Sequence, residues 1–141
     1  RLTKWLRLLG FDTLYESNLA DKKFIDALEY DRILLTRTQR IRNQFASRRI
    51  IFVESDHLEQ QLKQIFRELG LKPDQTRPFS RCLLCNVRIV AVSKNCLWGL
   101  IPDYIFETHD HFNQCPQCNR VFWPGSHTRR SLAKIQQLFK F

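Results

Sequence analysis

The chain contains no stretch of about 18 consecutive apolar residues, the length a helix needs to cross a bilayer. A membrane-spanning helix is therefore excluded from the reading. Its opening residues, Arg1-Leu2-Thr3-Lys4, lack the architecture of a secretory signal. The expectation is an intracellular, cytoplasmic protein with no membrane partner. Internal repeats and low-complexity tracts are also missing, which leaves an ordinary globular chain. Acidic residues are scarce, with 14 Asp and Glu against 23 Lys and Arg, a formal charge of +9 and a pI near 9.7. Such a balance points to a polyanionic partner, most often nucleic acid, or simply to a soluble basic protein.

With 43% hydrophobic and 26% charged residues in 141, the chain can bury a core and does not read as disordered. Residues before Ser80 carry 15 bases and 11 acids, whereas Ser80 onward carries 8 and 3. The shorter second segment is thus the more basic per residue.

Leu2, Trp5, Leu6 and Leu9 recur at helical spacing and Gly10 follows, so residues 2–9 read as an amphipathic helix. Thr13 to Tyr15 looks extended, and Asp21 opens a second helix through Phe24, Ile25 and Leu28. Arg32 to Thr36 has strand length, and a polar helix follows from about Thr38 to Ala46. Ile50-Ile51-Phe52-Val53 is the clearest strand, apolar on both parities as a covered parallel sheet requires. Ser55 or Asp56 then caps a helix through Leu58, Leu62, Ile65, Phe66 and Leu69, stopped by Gly70. Strands alternating with helices predict an α/β domain with a parallel sheet.

Residues Lys72 to Ser80, with two prolines, read as a linker. Beyond it come a strand from Val87 to Val92, a middle segment through Pro102, Val121-Phe122-Trp123 and a closing helix from about Thr128 to Phe139. Trp123 to His127 reads as a rigid turn, with Ser126 or Thr128 capping that helix. This second part is mainly β with one terminal helix and contains no further βαβ unit.

Four of the five cysteines form two C-x-x-C pairs, Cys82/Cys85 and Cys115/Cys118, separated by 29 residues. Each pair lets two sulfurs from one tight turn reach the same ion, and the interval allows a hairpin excursion that returns the second turn to the first. Four thiolates leave no open position, so the expected Zn²⁺ is structural. Its binding would lower the net charge only to about +7, and the basic reading survives. Cys96 reads as a small core residue, and His109, His111 and His127 as surface or structural residues. For the α/β part, ligands gather at the carboxyl ends of parallel strands. Hard Mg²⁺ or Mn²⁺ would need carboxylates there. By position the candidates are Asp21, Asp26, Glu54 and Asp56, with Thr36, Arg37 and Thr38 after the first strand. Asp21 and Asp56 read equally well as helix N-caps, Asp26 does not share a helix face with Asp21, and Glu54 reads as a solvated charge.

Leu2-Thr3-Lys4-Trp5-Leu6-Arg7-Leu8-Leu9-Gly10-Phe11-Asp12, Ile33-Leu34-Leu35-Thr36-Arg37, Ser80-Arg81-Cys82-Leu83-Leu84-Cys85-Asn86 and Cys115-Pro116-Gln117-Cys118 with Val121 to His127 follow one another in order. Together they resemble the Mut-7 C-terminal RNase domain family over essentially the whole chain. The resemblance implies a PIN-like three-layer domain with a mostly parallel sheet over residues 1–76. It also implies a zinc ribbon with a C-terminal helix over residues 77–141. RNA is the implied partner, and RNA processing by hydrolysis of the phosphodiester the implied activity. Members of the family begin with a strand carrying an Asp just before the residues that match Arg1 and Leu2. The resemblance therefore makes this chain N-terminally truncated, its first strand supplied by an upstream domain or a partner chain. Where the family has Thr-Arg-Asp, this chain has Thr36-Arg37-Thr38, and a hydroxyl is no charged ligand for Mg²⁺.

Two main readings follow. The first is an RNase whose Mg²⁺ or Mn²⁺ is held by Asp21 and Asp56 beside Arg37 and Thr38. The second is a non-catalytic RNA-binding module with a structural zinc ribbon. In either, phosphate contacts are expected from Lys4, Arg7, Arg81, Arg88, Arg120, Arg129 and Arg130, with His127 facing a phosphate. A protein-interaction adaptor is the third alternative.

Overall fold

Helical spacing of apolar residues produces α1, Leu2–Leu8, in which Leu6 and Leu8 are buried and Leu9 follows as a fully buried cap. Burying one such side chain stabilises a fold by about 1.5–3 kcal/mol. The computed structural model describes residues 1–17 and 22–140. Chain packing divides it into two units, one of Arg1, Thr3–Thr13 and Pro73–Phe141, the other of Leu2 and Leu14–Lys72. Helix α1 is thus grouped with the cysteine-bearing residues.

In the second of these units, β1 (Leu34–Thr36) and β2 (Ile50–Phe52) form a parallel pair, with Leu34 opposite Ile50 and Thr36 opposite Phe52. The crossover between them carries α3, Gln39–Gln44. Before it lies α2, Lys22–Asp26, and after β2 comes α4, Leu58–Leu69. Ile25, Ile41 and Phe45 make a core on which Phe24, Leu34 and Ile50 pack. Arg48 closes the end of α2, its guanidinium donating to the carbonyls of Ile25, Leu28 and Glu29. Helix α4 buries Leu62, Ile65 and Phe66 together with two glutamines. Those amides are satisfied: Gln64 donates to the Phe52 carbonyl and accepts from the Glu54 N–H, and Gln61 donates to the Ser55 carbonyl. A buried amide without partners would cost about 1–3 kcal/mol, so these bonds fix the exit of β2 against α4.

The cysteine-bearing unit holds an antiparallel sheet in the order β3 (Val90–Val92), β4 (Phe112–Gln114), β5 (Val121–Phe122). Between β3 and β4 stand a 3-10 turn, Lys94–Leu97, and α5, Asp103–Thr108; α6, Ser126–Leu138, closes the chain. Leu97, Ile101 and Phe112 are its buried centre, covered by Val92, Ile105, Phe106, Val121 and Trp123. The whole is a mixed α/β structure with one small parallel and one antiparallel sheet.

Five local expectations change. The N-cap of α4 is His57 rather than Ser55 or Asp56. The Ser55 hydroxyl accepts the His57 N–H and donates to the Gln60 side chain, while Asp56 pairs with Arg37, so neither side chain caps a backbone N–H of the first turn. Helix α6 starts at Ser126, and Thr128 acts from its third position by accepting the Gly125 N–H. The 87–92 strand is shorter, Val90–Val92, and the second part contains α5, a six-residue helix too short for its periodicity to register. Finally, the segment read as a linker is tied down. Its Arg77 and Phe79 N–H groups donate to the carbonyls of Leu9 and Leu8, Pro73–Gln75 forms a 3-10 turn, and Thr76 is buried.

That return of the chain onto α1 explains Gly10. Its φ is +94°, and a Cβ there would lie 2.5 Å from the Arg77 carbonyl oxygen. Gly70, the α4 cap with φ +62°, has open space around it. Gly10→Ala is therefore expected to destabilise its unit by about 3 kcal/mol, adding a backbone clash to left-handed strain. Gly70→Ala should cost only about 1 kcal/mol. Urea unfolding of the two variants checks the difference, which vanishes if strain alone governs both sites.

Candidate metal centre and strand-end site

The sequence repeats C-x-x-C-N twice, and both copies fold in the same way. In the first, the Asn86 N–H donates to the Cys82 carbonyl, the Cys85 N–H points at the Cys82 sulfur, and the Cys82 N–H donates to Val87. In the second, Asn119, Cys118 and Cys115 do the same, with Arg120 in place of Val87. Each turn closes through an asparagine in the left-handed region, Asn86 at φ +67° and Asn119 at φ +61°. Asparagine tolerates that conformation better than other residues with a side chain. The repeated Asn was therefore a signal for both knuckles, and the spacing argument did not use it.

These turns bring one sulfur of each of Cys82, Cys85, Cys115 and Cys118 within 4.8 Å of one another. Cys82 and Cys118 are 3.8 Å apart. A tetrahedron with Zn–S bonds of about 2.3 Å has edges of about 3.8 Å, so the cavity has the dimensions of a thiolate-bound Zn²⁺. The donor set is soft and complete, which also fits Zn²⁺. Without a cation the thiols are driven apart in acidity. Burial pushes Cys85 up to about 12, and the surrounding Cys118, Cys115 and Cys82 thiols add to the rise. Burial opposes ionisation of Cys115 as well, yet the backbone N–H groups of Cys118 and Gln117 and the Cys118 and Cys82 thiols outweigh it and bring that group down to about 7. One Zn²⁺ would let all four ionise together.

Two arginines brace the first knuckle from within the same unit. Arg7 on α1 donates to the carbonyls of Thr13, Leu83 and Leu84, each at 2.9 Å. Arg81 donates to Gly10 and Asn86 carbonyls at 3.0 and 2.7 Å. Asn86 in turn accepts the Thr13 N–H and donates to the Asp12 carboxylate at 2.6 Å. Both guanidinium groups thus serve the fold, which no local pattern could reveal because their acceptors are set by the returning chain. Lys4, Arg88, Arg120, His127, Arg129 and Arg130 are exposed. His109 is structural, its ring bonded to the Pro124 carbonyl and the Thr108 hydroxyl, and Cys96 is exposed rather than a core residue.

At the carboxyl end of the parallel pair, the Thr36 hydroxyl accepts the Thr38 N–H, and Thr38 is the N-cap of α3. Arg37 and Asp56 form an ion pair across this end. Their side chains are 49% and 79% exposed, so the pair contributes at most about 1 kcal/mol. Asp21 lies outside the described residues. Among the described residues, the four cysteines are the only group of three or more metal-ligating side chains close enough to share an ion. The strand end offers Asp56 to a cation only when Arg37 is displaced, and by itself it does not fit Mg²⁺.

Protein purified without added metal is expected to contain about one equivalent of zinc, by elemental analysis. Acidification should release it, since protons compete for thiolates and affinity falls as pH falls. Cys115→Ser should abolish stoichiometric binding.

Neither the curated proteins nor the solved structures include a significant match to the chain. The family model for the Mut7-C RNAse domain matches residues 1–135, a span that takes in both knuckles and the parallel pair. The chain therefore belongs to the Mut7-C RNAse domain family.

Proposed function

We propose that the chain is an RNA-processing domain of PIN-like nuclease type, in which a three-layer α/β part carries the hydrolytic end and a basic zinc ribbon holds RNA. Membership of an RNase family is the observation that carries this reading and supports RNA as the substrate. The exposed cations support it: Arg88 and Arg120 adjoin the two knuckles, and His127, Arg129 and Arg130 stand on the first turns of α6. Guanidinium groups suit bidentate contacts to phosphate oxygens. With Lys4 they form the RNA-contacting set, whereas Arg7 and Arg81 act through the knuckle they brace. Any Mg²⁺ or Mn²⁺ would be held by Asp21 and by Asp56 released from Arg37, and would supply a water of lowered pKa for phosphodiester hydrolysis.

A second reading, a non-catalytic RNA-binding module, is favoured by one specific arrangement. Thr38 stands where the family carries Asp, and Asp56 is neutralised by Arg37. Both features lower the negative charge that a hard cation needs.

RNA affinity is expected to fall steeply with salt, because each neutralised phosphate of a single strand contributes about −0.7 to the slope of log K against log salt. Arg129→Ala with Arg130→Ala should weaken binding of a labelled RNA about tenfold or more and flatten that slope. Salt-insensitive binding would favour stacking or a closed pocket.

Cleavage of single-stranded RNA by the unaltered chain is expected to be weak with Mg²⁺ or Mn²⁺ and absent with EDTA. Thr38→Asp should raise it and Asp21→Asn should remove the gain. Binding without cleavage in every variant would leave the module reading in place.

A further inference from the structure

The segment joining β3 to β4 does more than close a hairpin. It buries Leu97 and Ile101, yet leaves Trp98, Leu100 and Tyr104 outside at 76%, 69% and 71% exposure. Gly99, at φ +73° with open space around it, makes the turn between Trp98 and Leu100. The Trp98 ring stands edge-on to Phe106, 5.0 Å between centroids. On α5, Ile105 and Phe106 face the core, so the outward side is Asp103, Glu107 and Tyr104, with Asp103 and Glu107 about 40° apart around the axis. Trp98 therefore borders the Asp103 side of that face. Tyr104 lies about 100° from Asp103 in the opposite direction, so the two carboxylates lie between the exposed Trp98 and Tyr104, and exposed Trp and Tyr are residues that anchor protein interfaces.

Charge decides what the patch receives. Residues 93–110 contain Asp103, Glu107 and Asp110, which are all the acids from Ser80 onward, and a single Lys or Arg, Lys94. Lys94 pairs with Asp110 at 3.4 Å and lies 4.9 Å over the Phe106 ring. The rest of residues 80–141 holds seven Lys and Arg and no acid. From Ser80 onward the acids are thus confined to the segment that carries α5, apart in sequence from the bases of the knuckles and α6. A phosphate backbone following the bases would be repelled at this patch, while a cationic apolar segment would be attracted.

We propose that the outward side of α5, where Asp103 and Glu107 lie between Trp98 and Tyr104, docks a short amphipathic segment of a partner protein that presents Lys or Arg beside apolar residues. Trp98 and Tyr104 take the apolar side chains, and the two carboxylates set the polarity of the partner. RNA would then occupy the basic surface while a protein holds the acidic one.

The test uses the zinc-loaded chain labelled with ¹⁵N, whose three tryptophan indole N–H signals are assigned through Trp98→Phe. The probes are an amphipathic Leu/Lys peptide, the same peptide with Glu for Lys, and oligouridine. Saturable movement of the Trp98 indole by the Leu/Lys peptide is expected, with at least tenfold weaker binding in Asp103→Lys/Glu107→Lys. Those two side chains are exposed, so that variant should keep its zinc and the unshifted Trp123 signal as evidence of folding. No movement of Trp98 with the Leu/Lys peptide, or equal binding of the Glu peptide, would overturn the proposal. Movement with oligouridine would replace it by a base-stacking platform. Self-association lost in Trp98→Ala would overturn it in favour of a second copy as the occupant.

Discussion

Four thiols confined within 4.8 Å are the constraint on which the cysteine-bearing unit depends. One Zn²⁺ would balance all four sulfurs once ionised, and its binding would then contribute directly to folding. Both knuckles prepare for it in the same way, through backbone N–H groups aimed at Cys82 and Cys115 and an asparagine in the left-handed region. The three short strands leave little sheet to hold the unit together by themselves. Strands of two or three residues need such a staple, much as other small cores do.

Helix α1 and the first knuckle are joined by a polar network rather than by apolar packing alone. Arg7 and Arg81 link the Thr13, Leu83, Leu84 and Gly10 carbonyls around the first knuckle, and the Asn86 side chain accepts the Thr13 N–H. Planar guanidinium groups suit this because one side chain reaches two or three carbonyls at once. The consequence for function is a division of labour among the basic residues. Those within the network shape the first knuckle, and those beside the knuckles and on α6 are exposed, which leaves them available to the RNA contacts we propose. The acidic, aromatic face of α5 lies outside both groups.

Legibility in the sequence followed the range of the interactions. Period and punctuation placed α1, β1, β2 and α4, and Gly70 stops α4 in the left-handed conformation that its position required. Doubled C-x-x-C spacing picked out the four cysteines whose sulfurs the fold brings within 4.8 Å of one another, because the geometry of a knuckle is local. The roles of Arg7 and Arg81 were hidden, since each donates to carbonyls more than 70 residues away. Asp56 looked like a cap because only its neighbours were visible, whereas in the fold the facing Arg37 takes its carboxylate. Helix α5 was missed because six residues after a proline carry too little periodicity to outweigh the strands around them. Grouping of α1 with the ribbon likewise depends on the returning chain at Arg77 and Phe79.

Hydrogen exchange before and after removal of zinc by a chelator tests most directly whether the metal holds this unit together. The predicted result is that amides of Thr13, Cys82, Asn86, Cys115 and Asn119 lose protection, together with those of α1, while Val53 and the interior of α4 keep theirs. Retained protection of α1 and both knuckles in metal-free protein would contradict the account.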